Sequence, residues 1–506
     1  MKEKIKKLEE LTKIIADLKH KGKKIVHCHG VFDLLHIGHI KHFEEAKTFG
    51  DVLVVSITPD QFVNKGPGRP AFSTSLRLES LSALESVDYV VANKWPTAEE
   101  IIKILQPNIY CKGPDYKDHS KDISGKITDE EVAVKFVGGE ISYTDDITFS
   151  SSSLLNKFGD LYSKEQELFI RKIVEKHSFE SINLKLEEIK KLKVLIIGET
   201  IIDQYVFCEA LGKSGKEPVL VLRDLETQEY LGGALAIARH LNEFCDTVSV
   251  LSFLGENNEY KSFIEDSIER NIQLNYLTKS NSPTIIKRRF VDNVDRKKIL
   301  GVYSINDSSL TKREENKFIE SFDRLVKEHD LVIISDYGHG IITPKIANYI
   351  SETDKFFSLN AQVNAANIGT HNIRKYHDIN CLIINANELR HEMRQREGDL
   401  NKMAMNLKKM INASYITVTQ GKDGAFLLND SKLPVNCPGF AVQVVDKIGS
   451  GDALLALLSV CLFSKIEEEL SLFIASIAAA QSVETIGNSK PVNKVTLLKT
   501  ISHFLK

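Results

Sequence analysis

The sequence predicts an α/β protein built of two doubly wound parallel-sheet domains, and three observations support that fold class. Apolar runs typical of buried strands alternate with segments of helical period, which favours parallel βαβ units. This alternation starts twice, at Lys23 and again at Lys193. The chain has 506 residues, of which 42% are hydrophobic and 27% charged. It is therefore too long for one ordinary domain and has enough apolar residues to form two hydrophobic cores.

The composition argues against several classes of function. The net charge is −3 and lysines alternate with acids, which disfavours a surface for nucleic acid or anionic lipid. Seven scattered cysteines without a CxxC pair fit a reducing cytoplasm. The start MKEKIKKLEE lacks an apolar signal-peptide core, and no run of eighteen apolar residues occurs. We therefore expect a cytoplasmic protein with small-molecule partners, in which the segment LSLFIASIAAAQSV could serve a homo-oligomer interface.

The first domain is predicted to follow an amphipathic helix at residues 1–22 and to span residues 23–158. Its opening pattern is KKIVHCHGVFD, then HIGHIKHFEEAKTFG, then DVLVVSIT, which is typical of a strand, a helix and a second strand. The strand and helix signals end at the serine-rich TDDITFSSSSLLNKF. We place the domain boundary there.

The second domain is predicted at residues 193–506, after a charged helical linker at 159–192 that contains no strand pattern. Its strands are read from KVLIIGE, DLVIISDYGHG, NCLIINANE and SYITVTQGKDGAFLL. The glycine-rich segment DKIGSGDALLALL follows and leads into an apolar helix. This order predicts a large doubly wound sheet.

The first candidate site is the segment GVFDLLHIGH, which comes where a buried strand turns into a helix. His36 and His39 are three residues apart, so both imidazoles and the free N–H groups of the helix start face a bound polyphosphate. Gly38 between them permits close approach of phosphates. Nucleotidyl transfer needs positioning and positive charge at the α-phosphorus without a covalent intermediate. The segment can supply both requirements.

The same segment resembles the Rossmann-like HxGH nucleotidyltransferase superfamily, together with KGPGRP, the LRLESLSALE helix, KGPDY and a serine cluster. The resemblance implies that His36, His39 and Lys112 are catalytic and that Asp33 and Asp115 bind the sugar phosphate or hold its loop. The residues that it implies bind the nucleotide are Gly30, Phe32, Gly38, Arg77, Ser150, Ser151 and Ser152. The donor is ATP or CTP, because related cytidylyltransferases that act on glycerol phosphate share this segment.

The extra histidines His27, His29 and His42 crowd the same region. No cysteine or carboxylate stands at ligand spacing from them in the sequence, so a zinc site is not predicted.

The second candidate site is the turn DKIGSGD, whose free N–H groups form an anion-binding helix start with Asp452 at its edge. A sugar hydroxyl must lose its proton as it attacks the γ-phosphate of ATP, and Asp452 is the predicted general base. The turn resembles the DTxGAGD signature of the ribokinase family, with Lys447 for threonine and Ser450 for alanine.

Further motifs in the expected order strengthen the resemblance to ribokinase-like sugar kinases. It implies that Asp203, Gly232 and Gly233 bind the sugar, and that Glu388 of the NxxE element acts indirectly on Mg²⁺. The residues that it implies bind ATP are Asn385, Thr419, Gly421, Gly424, Gly449, Ser450 and Gly451. The implied cofactors are Mg²⁺, ATP for the kinase, and ATP or CTP for the nucleotidyltransferase.

Together the two domains resemble the bifunctional heptose kinase/adenylyltransferases of bacterial surface-sugar synthesis, in reversed order. The chain departs from that family at Ala236, where a sugar-binding asparagine is usual, and at residues 360–362, where Asn-Ala-Gln replaces Asp-Pro-Lys. Three hypotheses follow: a bifunctional transferase that makes a nucleotide-activated sugar, a cytidylyltransferase whose kinase-like domain only binds ligand, and a scaffold protein. The intact catalytic motifs argue against the scaffold.

Overall fold

The computed structural model describes residues 2–63, 69–113, 126–144, 162–364, 366–369, 372–431 and 433–505. The chain divides into two compact units. The N-terminal unit comprises Met1–Ser163 and Leu498–Lys506, and the C-terminal unit comprises Lys164–Leu497.

The N-terminal unit contains a five-stranded sheet in the order β3-β2-β1-β4-β5, and every strand pair is parallel. The strands are β1 Ile25–Gly30, β2 Val52–Ile57, β3 Tyr89–Ala92, β4 Ile109–Lys112 and β5 Glu140–Tyr143. Strand β2, VLVVSI, is buried along its whole length, as expected where both faces of a parallel sheet are covered. The carboxyl ends of β1 and β4 are adjacent, which is the edge where such sheets bind ligands.

The helices of this unit are Leu8–His20, Ile37–Thr48, Thr74–Ser82, Glu99–Leu105 and Lys126–Phe136, with short 3₁₀ turns at Lys2–Lys4 and Asp60–Phe62. The predicted N-terminal helix is present, and Leu11 and Ile15 on one face are buried in the same apolar cluster as Ile25 of β1. It is therefore part of the core of this unit.

The C-terminal unit contains a nine-stranded sheet in the order β10-β9-β6-β13-β14-β15-β16-β17-β18. Its strands are β6 Lys193–Gly198, β9 Thr247–Leu254, β10 Ile272–Thr278, β13 Leu331–Asp336, β14 Phe356–Ala361, β15 Cys381–Asn385, β16 Tyr415–Thr419, β17 Ala425–Leu428 and β18 Val435–Cys437. The first seven strands of that order are parallel, as predicted, whereas β17 and β18 add antiparallel pairs at one edge. A short turn at residues 420–424 joins β16 to β17, because antiparallel neighbours need no long crossover connection.

A separate four-stranded sheet, in the order β12-β11-β7-β8, was not predicted. Its strands are β7 Thr200–Lys213, β8 Leu220–Gly233, β11 Ile285–Asp292 and β12 Lys298–Ser304. Strand β7 pairs antiparallel with β8 and parallel with β11, which places Asp203 directly beside Tyr230 and Lys287 in the register. This sheet carries the sugar-site candidates.

The helices of the C-terminal unit surround the large sheet. They are Lys164–Lys176, Phe179–Ile189, Ala234–Leu241, Lys261–Ser267, Lys312–Val326, Pro344–Ser351, Ala386–Met393, Leu400–Met410, Ser450–Phe463, Glu468–Ser482 and Lys494–Phe504, whose last residues are grouped with the other unit. The Ser450–Phe463 helix is apolar on all sides and almost entirely buried, as expected for a helix in the centre of a large domain.

The first two of these helices occupy the segment expected to be a linker. Phe169 packs against Phe440 and Phe473, with ring centroids 6.2 and 5.9 Å away, and Lys176 pairs with Glu469 at 2.7 Å. In the second helix Ile182, Leu186 and Ile189 are buried, and both helices belong to the C-terminal unit. Within the described residues, no helix combines the length and the apolar character needed to cross a bilayer.

Candidate active sites

The turn after β1 in the N-terminal unit is shaped by Gly30 and Phe32. A Cβ atom on Gly30 would lie 2.8 Å from the tip of the Phe32 ring, so a larger residue would displace that ring. Phe32 has a φ of 47°, and its ring packs edge-on against His39 and Phe43 at 5.3 and 5.0 Å. These two predicted nucleotide-binding residues thus fix the position of the helix that carries His39.

His36 and His39 lie together at the start of the Ile37–Thr48 helix. His36 is the residue before the helix, and the two rings stack with centroids 3.9 Å apart and planes 24° apart. Gly38 lies in the first turn, whose N–H groups have no partner within a helix. The predicted sharing of one face by the two imidazoles is confirmed, and the stack is a polar platform at the sheet edge.

Asp33 is buried and holds the loop that follows β2. Its Oδ1 accepts a hydrogen bond from the Phe72 amide at 3.1 Å, and its Oδ2 lies 3.3 Å from Nη1 of Arg69. Both side chains of this ion pair are about 2% exposed. Of the two roles considered for Asp33, the structure shows the contact with the loop.

Arg77, predicted to neutralise phosphates, makes internal contacts in the structure. Its side chain is fully buried, and the guanidinium donates to the carbonyl oxygens of Val31, Thr58 and Phe72 at 2.6 to 3.0 Å. It also pairs with Asp60 at 2.6 Å. A guanidinium has five donors in a fixed plane, and here they connect the loops after β1 and β2.

Lys112 ends β4 and pairs with Glu130 at 2.6 Å, with both side chains less than 10% exposed. The Lys112 ammonium also lies 5.2 Å from the ring centre of Tyr110. No motif in the sequence pointed to Glu130, which lies eighteen residues further along the chain. Asp115, Ser150, Ser151 and Ser152 lie outside the described residues.

The second candidate site is built on the start of the Ser450–Phe463 helix. Gly449 precedes the helix with a φ of +94°, and a Cβ there would lie 2.1 Å from the side-chain oxygen of Asn488. A Cβ on Gly451 would instead meet no other atom within 4 Å, so the backbone is accessible to a bulky group. Ser450 donates its hydroxyl to the Lys447 carbonyl at 3.0 Å. The glycines therefore form a partly buried helix start, a geometry that commonly binds anions.

Asp452 lies in the first turn of that helix and is 5% exposed. Burial, together with the nearby negative charge of Asp203, raises the pKa of its carboxyl to about 7. The Tyr337 hydroxyl donates to Oδ1 at 2.9 Å and lowers the pKa, as does the positive charge of Lys287. A carboxyl that titrates near neutral pH is suited to general base catalysis.

Asp203, Gly232 and Gly233 come together as predicted. Gly232 leaves no room for a side chain, because a Cβ would lie 2.5 Å from Oδ2 of Asp203. Gly233 has a φ of +60° and begins the Ala234–Leu241 helix. Arg289 of β11 pairs with Oδ1 of Asp203 at 2.6 Å. Sequence reasoning missed this arginine, because the parallel pairing of β7 with β11 was not predicted.

Lys287 is a second basic residue that the sequence did not single out. It is 6% exposed, and its ammonium lies 4.7 Å from the ring centre of Tyr337 and 5.8 Å from that of Tyr303. Burial lowers its pKa, whereas the charges of Asp203 and Asp452 raise it. The site thus contains two carboxyl groups, of Asp203 and Asp452, and two basic side chains, of Lys287 and Arg289. The carboxyl groups can bind hydroxyl groups, and the basic side chains can bind an anionic group.

Asn385 and Glu388 form a capping box at the start of the Ala386–Met393 helix. The Asn385 side chain accepts from the Glu388 amide, and Oε2 of Glu388 accepts from the Asn385 amide, both at 2.9 Å. Oε1 of Glu388 accepts from the Val363 amide at 3.3 Å. Burial raises the Glu388 pKa to about 7. Both carboxylate oxygens of Glu388 thus accept hydrogen bonds within the protein, and its indirect role towards Mg²⁺ stays a prediction.

Thr419, Gly421 and Gly424 lie at the turn between β16 and β17. Thr419 ends β16, and both glycines have positive φ angles, of 64° and 86°. A Cβ on Gly424 would lie 2.1 Å from the Cys437 carbonyl oxygen, so Gly424 allows β17 to pack against the residues after β18. The predicted ATP-lining segment is therefore a glycine-dependent turn at the sheet edge.

Comparison with protein families matches residues 191–494 to the pfkB family carbohydrate kinases and residues 27–158 to the cytidylyltransferase-like family. The bifunctional protein HldE of Aliarcobacter butzleri (strain RM4018) is 45% identical over 139 residues, which cover 27% of this chain and 29% of that protein. The bifunctional protein HldE of Campylobacter jejuni (strain RM1221) is 29% identical over 317 residues, which cover 62% and 66%. Each match thus spans less than two thirds of the relative.

Among solved structures, a ribokinase from Thermotoga maritima aligns with a TM-score of 0.48 and 17% identity, over 61% of this chain and 99% of that chain. The predicted combination of a nucleotidyltransferase domain with a ribokinase-like domain is confirmed by the two family matches. The chain belongs to the pfkB family of carbohydrate kinases, and a cytidylyltransferase-like domain precedes its kinase domain.

Proposed function

We propose that the chain makes a nucleotide-activated sugar in two transfer steps. The C-terminal unit phosphorylates a heptose-like sugar or sugar phosphate with ATP. The N-terminal unit then couples a sugar 1-phosphate to ATP or CTP and releases pyrophosphate. The observation that carries the kinase assignment is Asp452, buried at an anion-binding helix start and titrating near neutral pH. The bifunctional HldE relatives support the combination of the two steps.

In the kinase step, Asp452 accepts the proton of the sugar hydroxyl as that oxygen attacks the γ-phosphorus and ADP leaves. The free N–H groups at residues 450–452 stabilise the charge on the transferred group. Asp203, held by Arg289, orients sugar hydroxyl groups. Bound Mg²⁺ supplies charge neutralisation between the phosphates, and Glu388 would reach it through water.

In the nucleotidyl step, a phosphate oxygen of the sugar 1-phosphate attacks the α-phosphorus and the bond to pyrophosphate breaks. His36 and His39 donate to the phosphate oxygens from their stacked platform, and the Lys112 ammonium, which pairs with Glu130 at 2.6 Å at the end of β4, serves as a further hydrogen-bond donor. No covalent enzyme intermediate is needed, because positioning and charge supply the stabilisation.

The rival function is a cytidylyltransferase for a glycerol, polyol or sugar phosphate whose kinase-like unit only binds ligand. Asn360 favours it, because its side chain donates to the Ile383 carbonyl at 2.9 Å inside the protein. The residue that replaces the usual aspartate thus serves an internal contact.

The test uses the purified full chain with a panel of sugars, sugar phosphates and glycerol phosphate. Pyrophosphate release is measured with ATP and with CTP, and phosphoryl transfer is measured with radiolabelled ATP. The proposal expects both activities with heptose-type substrates. Nucleotidyl transfer with no phosphoryl transfer to any member of the panel would favour the rival.

We further propose a cytoplasmic location, with sugar phosphates and nucleotides as partners and a homo-oligomeric state. The Glu468–Ser482 helix, expected from its apolar sequence to serve such an interface, is instead mostly buried within its own unit.

A further inference from the structure

A cluster of two thiols and one imidazole joins β1, β4 and the Ile37–Thr48 helix of the N-terminal unit. Cys28 of β1 and Cys111 of β4 are direct partners in the parallel register. His42 comes from the second turn of the helix that begins after His36. One ligand atom from each of the three side chains lies within 4.8 Å of the other two. We infer that these residues form a binding site for a soft divalent metal ion, with zinc as the expected ion.

The donor set fits zinc better than the hard cations that accompany nucleotides. Thiolate and imidazole are soft ligands that select zinc, whereas Mg²⁺ requires oxygen ligands. Three protein ligands leave one of four tetrahedral positions for water or an external ligand. Both cysteines are buried, so strands β1 and β4 hold their Sγ atoms in place before the metal binds.

The imidazole of His42 makes a hydrogen bond of the kind that orients metal-binding histidines. Nδ1 of His42 lies 2.9 Å from the Thr144 hydroxyl, and the inferred metal would bind through the other ring nitrogen, Nε2. Metal-binding imidazoles usually make such a hydrogen bond through their other nitrogen, because it fixes the ring and its tautomer.

The charges near the cluster also balance when a metal is bound. Two thiolates and the Glu130 carboxylate carry three negative charges, and zinc and the Lys112 ammonium carry three positive charges. The Lys112–Glu130 pair is neutral by itself when the thiols are protonated. Binding therefore adds no net charge to this buried region, provided that both thiols release their protons to solvent.

The site connects three elements of the nucleotidyltransferase domain. A bound metal would join β1 and β4 to the helix that carries His39, and Lys112 directly follows the ligand Cys111. We expect the metal to hold the histidine platform in position without contacting the nucleotide.

The experiment measures metal binding by the full chain, without substrate. Zinc content is determined by mass spectrometry of the purified protein, and cobalt is then exchanged into the apoprotein. One metal per chain is expected, with thiolate-to-cobalt charge-transfer absorption and the visible bands of tetrahedral cobalt. No stoichiometric metal, or cobalt bands without a thiolate component, would overturn the inference.

Variants identify the ligands. Cys28→Ala combined with Cys111→Val keeps the positions apolar and should abolish the charge-transfer band. Cys245→Ala is the matched control, because that cysteine is equally buried in the other unit, and it should leave the spectrum unchanged. If the double variant does not fold, Thr144→Val provides the test. Loss of its hydroxyl, which contacts His42, should weaken zinc binding about 10- to 100-fold. Unchanged zinc affinity in Thr144→Val, or a Cys28–Cys111 disulfide in protein alkylated during lysis, would contradict the site.

Discussion

The hydroxyl of Tyr337 donates a 2.9 Å hydrogen bond to Oδ1 of Asp452, across 115 residues of sequence. Tyr337 follows β13, and Asp452 lies in the first turn of the buried Ser450–Phe463 helix. The bond stabilises the ionised carboxylate, so it sets both the orientation and the proton affinity of the proposed base.

Replacing Asp452 by asparagine should abolish phosphoryl transfer while nucleotidyl transfer continues. Loss of a general base typically costs about 10² to 10⁴-fold in rate. Both activities are measured on the same preparation. Asp430→Asn is the control, because Asp430 is 93% exposed. Phosphoryl transfer at the wild-type rate in Asp452→Asn would refute the assignment of the base.

The kinase rate should rise with pH through about 7, because Asp452 must be ionised to accept a proton. Tyr337→Phe removes a hydrogen bond that lowers the Asp452 pKa, so the rise of the rate should move to higher pH. Lys287→Met removes a positive charge and should move it in the same direction. The measurement is the pH profile of kcat/KM at saturating ATP. A uniform loss of rate without a shift of the profile would indicate that Tyr337 acts only on structure.

Replacing His39 by alanine should lower nucleotidyl transfer about 10² to 10³-fold, as expected for a donor to a developing charge. Phosphoryl transfer should be unaffected because the kinase site is in the other unit. Pyrophosphate release is the measurement, and His20→Ala at an exposed helix end is the matched control. Equal rates in the two variants would remove His39 from the mechanism.

Replacing Arg77 by methionine should destabilise the N-terminal unit by about 3 kcal/mol or more, because three carbonyl oxygens lose their buried donor. Lys103→Met removes an exposed ion pair and should change stability by less than about 1 kcal/mol. Denaturant unfolding, followed by probes in each unit, gives both values. A stable Arg77→Met protein with weakened nucleotide binding would restore the phosphate role predicted from the sequence.

Features that depend on neighbouring residues were predictable from the sequence. The spacing of His36 and His39 determines that they share a helix face, and Asn385 and Glu388 stand at the spacing of a capping box. The glycine turn before Asp452 and the alternating strands and helices are likewise local, because backbone geometry relates positions only a few residues apart.

Contacts between distant segments were decided by the tertiary structure. The pairs Lys112–Glu130, Asp203–Arg289 and Tyr337–Asp452, and the burial of Arg77, depend on which strands are neighbours and in what register. The clearest case is Cys28 and Cys111, which lack ligand spacing in the sequence but become direct partners when β1 pairs with β4. Strand order is fixed by the burial of whole sheet faces, a property of the complete core that no short segment contains.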